Sequence, residues 1–365
     1  MIPISEPFLA GNEKKYVVDC MDSTWISSQG EFINRFEQAL AEYHGVKHAI
    51  VTSNCTTALH LSLKSLNIGP GDEVICPDLT FIAPANMIKL SGADLVLVDI
   101  DPVTLNIDNN ILESSITPKT KAIIVVHQFG HAAPMDEILG IAQKHGLFVI
   151  EDNAESIGGK YKGKMLGTIG DVSCYSFFAN KIITTGEGGA VLTKDDKVAD
   201  YCRTLRDHGM SRKERYHHVD LGYNYRMTNI QAAIGLAQME ELDNILALRK
   251  RQMDFYYELF EDVQGIKLRT FKEWCSPVHW MMTLTLDNNY NRDQILHDLK
   301  EKGIDCRQMI NPVHRADHFR NQFEDKNFPN SINISSQSLH LPSSTNLQRE
   351  QIRIIVKELN SCLSA

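Results

Sequence analysis

Between His48 and Asp152, short apolar runs alternate with helical stretches, and this rhythm restricts the fold more than any other feature of the chain. His48-Ala-Ile-Val-Thr52 predicts a short buried strand. Thr56 to Leu66 predicts a helix with Leu59, Leu63 and Leu66 on one face, and Gly69-Pro-Gly-Asp72 stops it. Glu73-Val-Ile-Cys-Pro77 is the next strand, followed by a helix over Pro84 to Leu90 and a strand Leu95-Val-Leu-Val98. Ala122 to Val126, a helix over Met135 to His145, and Leu147 to Asp152 continue the series. Strands that alternate with helices in this way pair in parallel, with right-handed crossovers and helices on both faces. Ligands in such sheets bind outside the carboxyl ends of the strands. The residues that close each strand are therefore the candidates for chemistry.

Gly189 to Thr193 predicts a last strand of this α/β unit, and Thr228 to about Phe260 one long helix. The middle of that helix, near Leu246-Ala-Leu248, is expected to bridge two domains. Beyond it the rhythm becomes that of a small α+β unit. His279 to Leu286 is a strand, Arg292 to Gly303 a helix, Gln348 to Cys362 a closing helix, and Arg320 to Asn330 a polar surface loop. The expected division is 1–245 for a large domain and 246–365 for a small one, with the N-terminal arm packed on the small domain. A chain of 365 residues is long enough for two such cores.

Composition removes several function classes. A net charge of −9 with no basic run argues against nucleic acid as a partner, though not against a small anion held by local arginines. No apolar run approaches the length needed to span a bilayer, and Met1-Ile-Pro-Ile-Ser-Glu6 lacks the pattern of a signal peptide. Eight cysteines without a Cys-x-x-Cys pair, several in strand-like runs (Cys76, Cys174), fit reduced thiols in a cytoplasmic protein better than disulfides or a metal site.

Lys181 stands in Ser176-Phe-Phe-Ala-Asn-Lys181-Ile-Ile-Thr-Thr-Gly186-Glu-Gly-Gly189, between apolar flanks and a glycine-dense loop. Burial disfavours the ammonium form and makes an amine available as a nucleophile, for example toward pyridoxal 5'-phosphate (PLP). A lone lysine is more often a side chain snorkelling from a strand end, so partners must carry the argument. Such chemistry needs an acid beside the pyridine nitrogen, and Asp152 closes a strand at Ile150-Glu-Asp-Asn-Ala-Glu155. Alone, Asp152 reads equally as a turn residue or helix cap, and Glu155 as a solvated helix start. Thr52-Ser-Asn-Cys-Thr-Thr-Ala58 joins a strand to a helix, where Thr56, Thr57 and the helix amides suit a phosphate. Ordinary helix capping would look the same. Ser176 offers another hydroxyl. Phe81 follows a strand end and suits an aromatic platform, or plain core packing.

Taken in order and spacing, these segments resemble the DegT/DnrJ/StrS family of sugar aminotransferases over nearly the whole chain. The carrying runs are Ser53 to Leu59, Asp78-Leu-Thr-Phe81, Ile150 to Ser156, Ser176 to Lys181, Thr184 to Gly189 and Gly222-Tyr-Asn-Tyr-Arg-Met-Thr-Asn229. The resemblance implies fold type I of the PLP-dependent transferases, with a mixed, mostly parallel sheet. It implies that Lys181 is the Schiff-base lysine, Asp152 the pyridine partner and Glu155 the neighbour of the ring hydroxyl. Phe81 would stack on the ring, and Thr56, Thr57 and Ser176 would hold the phosphate. Asn224 would reach the same phosphate from a second subunit, so a homodimer with shared active sites is expected.

Trp25, Ser27 and His314 match the region lining the sugar-nucleotide site, while Arg226 and Arg307 are anchors for pyrophosphate or donor carboxylate, or else surface ion pairs. The finer likeness, in Thr24-Trp-Ile-Ser-Ser28 and Asn224 to Gln238, implies amino transfer from L-glutamate to C4 of a nucleotide-linked 4-keto-6-deoxy sugar. Other keto-sugars or a keto-cyclitol, a PLP-dependent sugar dehydratase and a non-enzymatic sensor are the alternatives. Related dehydratases carry histidine at the lysine position, and Lys181 speaks against that reading. Two departures stand out. Cys55 and Ala179 occupy positions where the family often has glycine, and Cys55 predicts either an altered turn or a strained one.

Overall fold

The computed structural model of the chain describes residues 1–364. Strands β1 (His48–Thr52), β2 (Glu73–Pro77), β3 (Asp94–Val98), β4 (Thr120–Val126) and β5 (Phe148–Asp152) follow the expected alternation. A short hairpin, β6 (Lys160–Tyr161) and β7 (Lys164–Met165), precedes β8 (Val172–Ser176) and β9 (Gly189–Thr193). The large sheet has the order β1-β9-β8-β5-β4-β2-β3. Its neighbours are parallel except at β9, which runs against both β1 and β8.

Alternate side chains of these strands enter different cores. Ile50, Cys76, Ile124, Ile150 and Cys174 pack into one cluster with the helix Cys55–Ser65. Val51, Tyr175 and Leu192 face another, with the helix Glu31–His44 and the helix Asn229–Glu240. Both faces are therefore dry, as a largely parallel sheet requires. One consequence positions the site: β1, β2, β4, β5 and β8 all end at the same edge, and β9 begins there.

The C-terminal part of the chain, where the sequence reading expects a small domain, carries β10 (Ile266–Leu268), β11 (Cys275–Ser276), β12 (Met282–Leu286), β13 (Arg307–Gln308) and β14 (Ser338–Leu341). Four of these form a sheet in the order β10-β12-β14-β13, while β11 pairs with β6 of the large domain. Ile2 forms a parallel bridge with Ile304, tying the N-terminal arm to the small domain.

Three elements differ from the sequence reading. The long helix breaks at Glu241 into Asn229–Glu240 and Leu242–Phe260. The first half packs against Phe36, so closely that a Cβ on Gly235 would lie 2.5 Å from its ring. The second half buries Met253, Tyr256 and Phe260 in the small-domain core. Two partners in different directions demand two helix axes. The strand expected from His279 starts only at Met282, because the preceding backbone crosses to the large domain, where the Val278 amide donates to the Gly130 carbonyl at 3.0 Å. The segment Arg320–Asn330 is not simply a surface loop. It contains the buried Phe328 and a 3-10 turn, and Pro329 opens the helix Pro329–Gln337.

Candidate active site

After β8 the chain turns through Phe177, which is buried, and Phe178, which is exposed, before it reaches Lys181. The turn is fixed by the Lys181 amide donating to the Phe178 carbonyl (2.9 Å) and the Thr185 amide donating to the Phe177 carbonyl (2.9 Å). The Lys181 side chain is 13% exposed. Its Nζ lies 3.6 Å from Glu155 Oε1 and 3.8 Å from the ring centroid of Trp280.

Asp152 closes β5 on the face that carries Ile150 and is buried. Its recorded hydrogen bond comes from the Ala154 amide, at 3.0 Å to Oδ1. No cation lies within ion-pair distance of it among the described residues. Burial accordingly pushes its carboxyl up to about 6, against the pull of the Ala154 amide and Lys181. Glu155 is also buried, not solvated as a helix-start residue would be. Its Oε2 accepts the Phe129 amide at 2.7 Å, and burial raises its carboxyl above the ordinary value while Lys181 draws it down.

On the opposite face of β5, Glu151 accepts from His127 Nε2 (3.0 Å) and from the amides of Gly167 (2.8 Å), Ile169 (2.8 Å) and Gly170 (2.6 Å). Burial works against its ionisation, but these donors outweigh it and hold the carboxyl below its ordinary value. Because His127 Nδ1 accepts the Ala133 amide, its proton sits on Nε2. This hydrogen-bonded pair fixes the loops after β4 and before β8.

The helix Cys55–Ser65 begins at the same edge. Asn54 caps it by accepting the Thr57 amide (2.9 Å), and the Thr57 hydroxyl donates back to the Asn54 carbonyl (2.8 Å). The Thr57 hydroxyl is thus engaged in the cap both as donor and as acceptor of the Asn54 amide (3.4 Å). The amides of Cys55 and Thr56 have no hydrogen-bond partner among the described residues and form an open helix N-terminus. Cys55 takes ordinary helical geometry, so neither the altered turn nor the strain expected there exists. Gly189, opposite both Thr52 and Ser176, explains the glycine at the start of β9: a Cβ there would lie 2.4 Å from the Asn54 carbonyl carbon.

These groups fit PLP. The buried, cation-free Asp152 is chemically suited to a protonated pyridine nitrogen. The open helix N-terminus with Thr56 and Ser176 suits a dianionic phosphate, and the loosely held amine of Lys181 suits an aldehyde. Phe81 is 63% exposed at the end of β2 and leaves a free aromatic face above the edge.

The outer residues fall into three groups. Trp25 and Ser27 are exposed, and their carbonyls pin this segment to Asn229 at 2.7 and 2.6 Å. Asn224 is exposed and accepts from Arg226 Nε at 3.1 Å, while Arg226 also pairs with Asp207 at 2.9 Å. Arg226 thus already has an ion-pair partner, in line with its more ordinary reading. Arg307 is exposed in β13 opposite His340, whose ring packs 4.9 Å from Phe129.

His314 needs correction as a pocket-lining residue. It is 1% exposed, with Nδ1 on Asp78 Oδ2 (2.8 Å) and Nε2 on Asp325 Oδ1 (3.0 Å), so no ring nitrogen is left for a ligand. Burial opposes its charge, but the two carboxylates outweigh burial and raise its imidazolium above the ordinary value. Trp280 and Phe129 are the residues that sequence reasoning missed. Trp280 lies 99 positions from Lys181, and no local pattern marks it.

The chain matches the DegT/DnrJ/EryC1/StrS aminotransferase family over residues 7–360. It is 45% identical to the GDP-perosamine synthase of Caulobacter vibrioides, over 99% of this chain and 98% of that one. It is 41% identical to the GDP-perosamine synthase of Escherichia coli O157:H7, over 100% and 99%. Among solved structures, the PMP form of Spr1654 of Streptococcus pneumoniae superposes with a TM-score of 0.95 at 28% identity, covering 100% of this chain and 98% of that one. DesV of S. venezuelae, in complex with a ketimine intermediate, gives 0.91 at 30% identity, covering 96% and 94%. The edge of the sheet, the amine and carboxylate that meet there and the likeness along the whole chain agree: this protein belongs to the DegT/DnrJ/EryC1/StrS aminotransferases.

Proposed function

We propose that this protein moves an amino group from L-glutamate to C4 of a GDP-linked 4-keto-6-deoxy sugar, making a 4-amino sugar nucleotide for surface polysaccharide such as O-antigen. The placement of Lys181 beside Glu155, at an edge shared with the buried Asp152 and an open helix N-terminus, carries the reading of amino transfer. The likeness to the two perosamine synthases carries the choice of sugar.

The cofactor is PLP, which when bound supplies an electron sink for the carbon that loses or gains a proton. Asp152 would hold the proton of the pyridine nitrogen. Glu155, on Phe129's amide, would hold the ring hydroxyl, and Phe81 would cover the ring face. The amides of Cys55 and Thr56, with the hydroxyls of Thr56 and Ser176, would bind the phosphate, and the Thr57 hydroxyl would join them by turning its proton out of the helix cap. Lys181 Nζ moves the proton to and from the reacting carbon, as general base and then general acid. Fixed positions for the amine and the phosphate are worth much of the rate, because a misplacement of 1 Å can cost about a hundredfold.

The active unit in this reading is a homodimer in which Asn224 reaches the partner's phosphate. Trp25, Phe178 and Leu221 are large apolar side chains exposed in the single chain, as residues that a second copy covers would be. The large domain spans 1–245 and the small one 246–365, in the cytoplasm; six of the eight cysteines are buried free thiols, which suits a reducing compartment. Among the described residues, no helix is long and apolar enough to cross a membrane.

The test is incubation with glutamate and a panel of GDP-, UDP- and dTDP-linked keto-sugars, with products identified by mass spectrometry and NMR. A 4-amino-4,6-dideoxy GDP-sugar is expected. A product from another nucleotide or another carbon would reassign the substrate. Lys181→Ala should abolish both turnover and the absorbance of lysine-bound cofactor, and persisting activity would reject the mechanism.

A further inference from the structure

We propose that Trp280 is a positioning residue that receives the ammonium of Lys181 whenever that amine is not joined to the cofactor. The proposal rests on the aminotransferase reading and extends it to a residue from the small domain.

Amino transfer leaves Lys181 detached from PLP for half of the cycle. A detached ammonium in a site 13% exposed needs a partner, or it swings away and must be recaptured. Glu155 alone is a poor partner, because its nearest oxygen is 3.6 Å away and its other oxygen is taken by the Phe129 amide. The indole face supplies the rest. Lys181 Nζ sits 3.8 Å from the Trp280 ring centroid, well inside the range in which a cation is attracted to an aromatic quadrupole.

The ring is held for this purpose from both sides. Trp280 Nε1 donates to the Asn180 carbonyl at 2.7 Å, so the indole is fastened to the residue just before the lysine it serves. Phe129 stacks behind it, with centroids 6.0 Å apart and planes 12° from parallel. The same Phe129 gives its amide to Glu155. Phe129 adopts a left-handed backbone (φ 49°), which a phenylalanine takes only under constraint. The constraint is visible at Gly130, where a Cβ would lie 1.9 Å from the Val278 carbonyl oxygen, two residues before Trp280. One backbone contact between the domains thus sets Glu155, Phe129 and Trp280 around a single amine. The ammonium that forms when Lys181 has taken the proton as general base is held over the indole until Lys181 delivers that proton as general acid.

The experiment uses cofactor-free protein and involves neither glutamate nor sugar, so its outcome is separate from that of the aminotransferase reading. Lys181 is labelled with a small amine-reactive reagent at pH 7.5 and at pH 10, and the modified peptide is counted by mass spectrometry. The ratio of the two rates removes any change in access that a smaller side chain causes. In Trp280→Leu, loss of the ring face should raise the ratio of the pH 7.5 rate to the pH 10 rate by about 1.4- to ninefold, the pH 10 rate itself rising by up to threefold. Trp280→Phe, a weaker cation acceptor, should fall between that variant and the unmodified protein. An unchanged ratio in both variants, or an equal one in the two, overturns the proposal. Should the leucine variant not fold, a ratio in Trp280→Phe equal to that of the unmodified protein overturns it alone.

Discussion

Gly189→Ala should loosen the phosphate-binding edge without unfolding the protein. Gly189 is held on both sides, opposite Thr52 of β1 and Ser176 of β8, so the strand cannot slide to make room. A Cβ there would meet three backbone atoms of the helix start: the Asn54 carbonyl carbon at 2.4 Å, the Cys55 nitrogen at 2.5 Å and the Asn54 oxygen at 2.6 Å. Ordinary contact begins near 3.4 Å, so the helix N-terminus must retreat by about 1 Å. Overpacking of this kind costs about 1–3 kcal/mol. Charged to the bound state, that is a five- to 150-fold weaker affinity for PLP, roughly. The retreat should also misplace the phosphate by enough to lower kcat. Titration of cofactor-free protein with PLP, followed by absorbance, measures the affinity. Gly140→Ala is the control, because that helical glycine has nothing within 4 Å of its Cβ position and should be neutral or stabilising by about 1 kcal/mol. PLP binding by Gly189→Ala equal to that of the unmodified protein would show that the helix start is not the phosphate site.

Asp152→Asn should abolish turnover yet raise the melting temperature of cofactor-free protein at pH 7.5. Its folded value of about 6 lies above the unfolded one, so its stabilising contribution is complete below about pH 4 and is gone above pH 6, a difference of at most about 3 kcal/mol. Melting curves at pH 5 and 7.5 would expose the error if the variant gained nothing at the higher pH. His314→Asn should remove a stabilising component that is full below about pH 6.5 and fades as pH rises through the raised imidazolium value. Because His314 holds Asp78 and the loop leading to Phe81, KM should rise more than kcat falls; the reverse split would place His314 in the chemistry. Hybrid dimers of Lys181→Ala and Asn224→Ala subunits should regain activity that neither parent has, since one of the two sites is then intact. No recovery on mixing would deny that Asn224 serves the partner's site.

The alternation of runs between His48 and Asp152 was enough to place five strands that run the same way and the edge at which they end, because a buried parallel strand is largely apolar and a polar residue (Ser53, Asp78, Asp99, His127, Asn153) follows each of them directly. Asp152 and the Ser53–Thr57 turn could be read in this way, each lying next to the strand that delivers it. Lys181, five residues past the end of β8, stood out by its apolar flanks and glycine-rich sequel. What stayed hidden is whatever depends on contact between distant segments. Trp280 looked like one more strand residue, and only the crossing of Val278 onto Gly130 turns its ring toward the lysine. His314 looked like a pocket residue, and only folding shows Asp78 and Asp325 closing on both its nitrogens. Local periodicity decides which way a strand or helix faces. Which remote side chain completes a charge or covers an amine is decided by packing, and packing has no signature along the chain.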